Sequence, residues 1–104
     1  SMMEQKIDMT KPQPCTKFRD AGILDWAAKL NKAVYEIIRG VAYIERLADE
    51  AYEADDDDVE RLAEELTNVI TVCTSWLDAL GYDEEKRGEL HRRVNEKNRE
   101  RGYF

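Results

Sequence analysis

Glu64-Glu65-Leu66-Thr67-Asn68 puts two carboxylates and an amide beside an apolar stripe of Leu62, Leu66 and Val69. Glu65 and Asn68 are three residues apart and so project from one helical face. Oxygen donors at the edge of a helical core, with no cysteine or histidine among them, suit a hard cation such as Mg²⁺. Asn68 stands where a third carboxylate would complete such a set, so the stretch reads as a metal site or the remains of one. Charge is also unevenly placed along the chain. Between Glu45 and Glu65 lie eleven acids and two bases, Arg46 and Arg61, whereas Lys86 to Arg101 carries seven bases with His91 among them. Acids holding a cation and bases meeting phosphates would use that asymmetry; two solvated helix faces would produce it equally well.

The 104 residues make one domain, and 42% hydrophobic with 38% charged residues suits long helices with solvated outer faces. A net charge of −7 argues against nucleic acid as a partner, because phosphate neutralisation supplies most of that affinity. No run approaches the ~20 apolar residues that span a bilayer, and the N-terminus lacks a signal-peptide apolar region. The expectation is a cytoplasmic protein with no membrane partner. Ser1 reads as an appended residue ahead of Met2-Met3. Cys15 and Cys73 match no zinc or redox spacing, and Cys73 reads as a small buried thiol in a reducing compartment. No serine or cysteine has the partners of a triad, and no glycine-rich loop precedes a helix. His91 reads as a surface residue, and Trp26 and Trp76 as core or interface aromatics.

Residues 1–19 hold both prolines, Pro12 and Pro14, and little periodicity: a mobile or loosely docked leader ahead of a single helical domain at 20–104. From Ile23, the positions Ala27, Leu30, Val34, Ile37, Val41, Ile44, Ala48 and Ala51 alternate spacings of four and three, which predicts one long helix. Gly40 interrupts it mildly, at about 1 kcal/mol against Ala. Asp55-Asp56-Asp57-Asp58 ends this helix and starts the next, with Asp57 predicted as N-cap and Glu60 completing a capping box. Val59, Leu62, Leu66, Val69, Cys73, Trp76 and Leu80 form the second seam, widened by Ala63, Ile70 and Leu77. Gly81 marks the stop, and Asp83 caps a third helix from about Glu84 to Arg99, apolar chiefly at Leu90 and Val94. The expected fold is all-α, a long helical hairpin plus a third C-terminal helix. So wide an apolar face needs more than one neighbour, which predicts a homodimer or dimer of dimers completing a four-helix bundle.

In the order and placement of its motifs the chain resembles the MazG-like all-α nucleoside triphosphate pyrophosphohydrolases. Residues 64–70 (Glu-Glu-Leu-Thr-Asn-Val-Ile) look like the second acidic motif of that family, and Leu80-Gly81-Tyr82-Asp83 looks like its helix-ending turn. Asn95-Glu96-Lys97-Asn98-Arg99-Glu100-Arg101-Gly102-Tyr103-Phe104 looks like its tail. The likeness covers roughly residues 26–104. It implies acidic side chains holding Mg²⁺, which would clamp a nucleoside triphosphate and activate a water, giving a monophosphate and pyrophosphate. By position, Lys97 and Asn98 would meet phosphate or base.

The sequence departs from that pattern in its ligands. In the register set by Lys29-Leu30-Asn31, the first motif falls on Lys32-Ala33-Val34-Tyr35-Glu36 and keeps only the final glutamate, while the aspartate of the second motif is Asn68. The metal set implied is Glu36, Glu65 and Asn68. A simple hairpin turning near Asp56 would leave Glu36 and Glu65 at levels differing by roughly 16 Å along the axis. Glu45 and Asp49, level with Asn68 and Glu65 in that hairpin, form a rival cluster with them. A third match, Asp49-Glu50-Ala51-Tyr52-Glu53, copies the letters better but leaves almost no helix before the aspartates. Two functions from different classes therefore stand: a Mg²⁺-dependent pyrophosphohydrolase with hydrolysis impaired or lost, and a non-catalytic dimeric helical module that binds a nucleotide or a protein.

Overall fold

The first seam and the second do form helices, and they pair. The computed structural model describes residues 7–49 and 55–104, and within them lie three helices and no strand: α1 Ile23–Asp49, α2 Asp56–Ala79 and α3 Glu84–Glu100. Ala51, placed by periodicity at the end of the first helix, lies outside the described residues. The α1–α2 pair is the one extensive helix contact among the described residues.

Each helix end has an identifiable cause. Asp58 N–H donates to Asp55 Oδ1 at 2.9 Å and Asp55 N–H donates to Asp58 Oδ2 at 3.3 Å, so the capping box of α2 is Asp55/Asp58. The predicted cap at Asp57 is therefore corrected. Asp55 wins because an aspartate three residues on can reciprocate, and because Asp56, Asp57 and Asp58 then fill the first turn, where the helix dipole favours anions. At the other end Gly81 takes φ +94°, with its N–H on Asp78 O at 2.9 Å and Tyr82 N–H on Leu77 O at 2.9 Å, a Schellman ending. Asp83 caps α3 by accepting from Lys86 N–H at 2.9 Å, and Gly102 at φ +78° ends it in the same manner, with Tyr103 N–H on Asn98 O.

Residues of the leader lie against the hairpin. Cys15 N–H donates to the buried Ser75 hydroxyl at 2.9 Å, and Arg19 Nη2 meets Asp78 Oδ2 at 2.6 Å. Asp78 also faces Arg87 of α3 at 3.7 Å, so one carboxylate ties the leader, α2 and α3 together. Lys29 on α1 sits 4.0 Å over the ring of Phe18. Along its outer side α3 is held by its own charges, with Arg92 bridging Glu89 at 2.6 Å and Glu96 at 2.7 Å.

Little of this chain is enclosed. Among the described residues only Trp26 and Ala33 are buried apolar side chains, with Asp58 and Ser75 the buried polar ones. Val34, Ile38 and Val41 of α1 and Val59, Leu66 and Ile70 of α2 are exposed. The surface is 8913 Å² where a compact monomer of this mass shows about 6,000 Å². The radius of gyration is 17.3 Å where about 13 Å is usual for this length.

The cap assignment has a direct test. Asp55→Ala is expected to lower stability by about 1 kcal/mol in urea unfolding, whereas Asp57→Ala, a first-turn anion only, lowers it by a few tenths. Equal losses, or a larger one at Asp57, would restore the cap predicted by spacing.

Candidate functional site

Two polar stripes face each other across the α1–α2 groove. Glu36, Arg39, Gly40 and Tyr43 repeat at i, i+3, i+4 and i+7 on α1, and Asp58, Arg61, Leu62 and Glu65 repeat in the same way on α2. Together with Ile44 they line a cleft of about 360 Å³, within the range of small-molecule sites. Gly40 is where the helices meet most tellingly: a Cβ built there would lie 3.5 Å from Glu65 Oε2. The carboxylate of Glu65 thus lies against the α1 backbone one turn from Glu36.

That contact replaces the register drawn from a turn at Asp56. α2 begins at Asp56 itself, and Gly40 rather than a residue near Asp49 is level with Glu65. Glu36 is four residues from Gly40, about 6 Å along the helix axis, and the 16 Å objection does not hold. Glu36 and Glu65 line the same cleft. Asn68 is exposed and does not line it, because it sits about 60° further round α2 than Glu65. Glu45 is exposed and outside the cleft, and the side chain of Asp49 lies outside the described residues, as does most of the match at Asp49–Glu53. Lys97 is exposed and Asn98 half-buried on the last turn of α3; neither lines the cleft.

Arg39, Tyr43 and Arg61 were not singled out by motif spacing. Their signal was present, since a polar stripe keeps the same helical period as the apolar seam beside it. Arg61 holds Asp58 at 3.3 Å with its own side chain 62% exposed, so most of its donors face solvent. Arg39, Glu36 and Glu65 make no ion pair or side-chain hydrogen bond with a described residue. Asp58 is buried and engaged in the cap, which leaves Glu36 and Glu65 as the acids free to take a ligand.

Among the described residues no group of three or more His, Cys, Asp or Glu side chains could hold a metal ion by itself. Two carboxyls on other elements are held below their usual range. Asp8 is lowered by hydrogen bonds from Thr10 in the leader, and Glu89 by the Arg92 guanidinium on α3. A larger groove of about 690 Å³ runs between the leader, α2 and α3, over Val69, Ile70, Cys73 and Leu77, and is mainly apolar. Compared with protein-family models, with curated proteins and with solved structures, the chain has no match.

Gly40 sits in the helix interior with room for a methyl group, since 3.5 Å is ordinary contact. Gly40→Ala is therefore expected to stabilise the hairpin by up to about 1 kcal/mol, raising Tm by several degrees. A fall in Tm would mean that Glu65 packs more tightly on α1 than this distance implies.

Proposed function

We propose that the chain is a MazG-like relative of the nucleoside triphosphate pyrophosphohydrolases that binds a Mg²⁺–nucleotide, with hydrolysis impaired or lost. The observation that carries this reading is the convergence of Glu36 and Glu65, from two helices, on one cleft that also presents Arg39 and Arg61. Mg²⁺ is usually held by one or two carboxylates, with phosphates and water as the remaining ligands, rather than by an all-protein cage. Two carboxylates fit an ion that arrives with its triphosphate. Glu36 and Glu65 would hold it, and the bound ion would supply Lewis-acid polarisation of the phosphoryl group.

The same donor set favours binding over turnover. With Glu36 and Glu65 both engaged on the cation, no carboxylate among the described lining residues remains to take a proton from water, since Asp58 serves the cap. Asn68 lies outside the lining and is neutral, so it supplies no base. This supports the non-catalytic binding module as the form the relative takes.

Self-association belongs to the proposal. Val34, Ile38 and Val41 lie about half a turn round α1 from Glu36, Arg39 and Tyr43, and Val59, Leu66 and Ile70 lie on the matching side of α2. Pairing two hairpins through that flank would complete a four-helix bundle. The surface in excess of a compact monomer, about 2,900 Å² per chain, is more than the roughly 1,000–2,500 Å² per partner that obligate dimers commonly bury, so it leaves ample surface for such an interface. No described helix is long and apolar enough to cross a membrane, so a bilayer does not supply that cover by a helical span.

Two measurements test this. A panel of nucleoside triphosphates with Mg²⁺ is expected to raise Tm in the native chain but not in Glu65→Gln, with pyrophosphate release near background. Release that disappears in Glu65→Gln would establish a working hydrolase, and no stabilisation by any nucleotide would remove the nucleotide reading. In light scattering the chain is expected at dimer mass or twice it, and Ile38→Glu with Leu66→Glu is expected to give monomers. A monomeric native chain at micromolar concentration would refute the bundle.

A further inference from the structure

The cleft carries more information about its ligand than the pair of acids does. Among the described residues its charged lining comprises Glu36, Asp58 and Glu65 against Arg39 and Arg61, a formal charge of one negative. An anion alone meets repulsion there, and a divalent cation between the carboxylates reverses the sign. The two guanidiniums stand on opposite helices. Gly40 marks the level of Glu65; Arg39 is one residue from it, and Arg61 lies four residues from Glu65 toward the turn, about 6 Å along the axis. Arg39 therefore lies between the levels of the two glutamates, and Arg61 about one helical turn beyond Glu65, paired with Asp58, so the two guanidiniums flank Glu65 along the cleft.

Both arginines have donors to spare. Arg39 is unpaired among the described residues, and Arg61 has a single 3.3 Å contact to Asp58. A guanidinium presents a planar fork that matches phosphate oxygens two at a time. By contrast, among the described lining residues the only polar side chain besides the acids and arginines is Tyr43, whose single hydroxyl offers less than the paired amide groups that read the edge of a base. Ile44 and Leu62 offer apolar surface and the Tyr43 ring a stacking face, which every base satisfies.

We infer that Arg39 and Arg61 form a phosphate clamp, and that the cleft recognises the Mg²⁺-bound polyphosphate chain itself, by its length and charge, with little regard for the base. This rests on reading the cleft as a Mg²⁺–nucleotide site. The ligand class widens accordingly to any terminal triphosphate, inorganic triphosphate included.

Isothermal titration of the full chain with Mg²⁺ separates the two claims. The probes are inorganic triphosphate, pyrophosphate, orthophosphate, and one purine and one pyrimidine nucleoside triphosphate. Inorganic triphosphate is expected to bind within about threefold of either nucleotide, and at least about tenfold more tightly than orthophosphate. Arg39→Gln and Arg61→Gln, both with unchanged helical circular dichroism, are each expected to weaken triphosphate binding by about tenfold or more. If the nucleotides bind in a Glu65-dependent way but inorganic triphosphate does not, the clamp is wrong and the nucleotide site stands. The clamp also falls, with the nucleotide site intact, if both arginine variants bind as the native chain does, or if purine and pyrimidine differ by more than about tenfold. Triphosphate binding that needs the arginines but survives Glu36→Gln and Glu65→Gln would keep the clamp and overturn the metal site. If no probe binds, both fall.

Discussion

The antiparallel pairing of α1 with α2 at Gly40 and Glu65 is the constraint on which the rest depends. At that level the Glu65 carboxylate lies close to the neighbouring backbone, in ordinary contact at 3.5 Å from where a side chain would begin. The contact marks the register of the hairpin, and the register decides which polar residues meet. With it, Glu36 and Glu65 share a cleft; slid toward the turn at Asp56, Glu45 and Asp49 would have taken the place of Glu36. α3 adds little to this choice, being tied at its start through Asp78 and Arg87 and stabilised outward by Arg92 with Glu89 and Glu96.

The elements themselves were legible in the sequence because their signals are local. The apolar seams of α1 and α2 keep helical spacing without a break, and Gly81 and Asp83 fall where backbone geometry requires a glycine and a capping acceptor. The weakness of α3 was legible too, since Leu90 and Val94 are nearly its whole apolar content and Val94 stays exposed. What was not legible is how the two seams align. Four consecutive aspartates offer several caps of similar strength, and the choice turns on the reciprocal bond between Asp55 and Asp58. Periodicity along each helix does not say which residue of one seam faces which residue of the other, and a shift of about seven residues, from a position near Asp49 to Gly40, is about two helical turns. The arginines of the cleft went unseen for a different reason: an exposed guanidinium on a helix is ordinary until its neighbour across the groove is known.

The donor set and the missing third carboxylate point the same way. On the proposed reading, Glu36 and Glu65 with Arg39 and Arg61 would hold a charged ligand, and once both glutamates were engaged no other carboxylate among the described lining residues would be left to activate water, Asp58 being held in the cap. Binding and turnover place different demands on the same few residues, and the proposal assigns these residues to binding.

The apolar flank and the ionised cleft occupy opposite sides of one hairpin, and this separation has an evolutionary consequence. Were copies to pair through the apolar flank, a substitution in the cleft would leave the pairing surface intact, so chemistry could drift while architecture persisted. A scaffold that outlives a change of its own chemistry is the outcome such a layout allows.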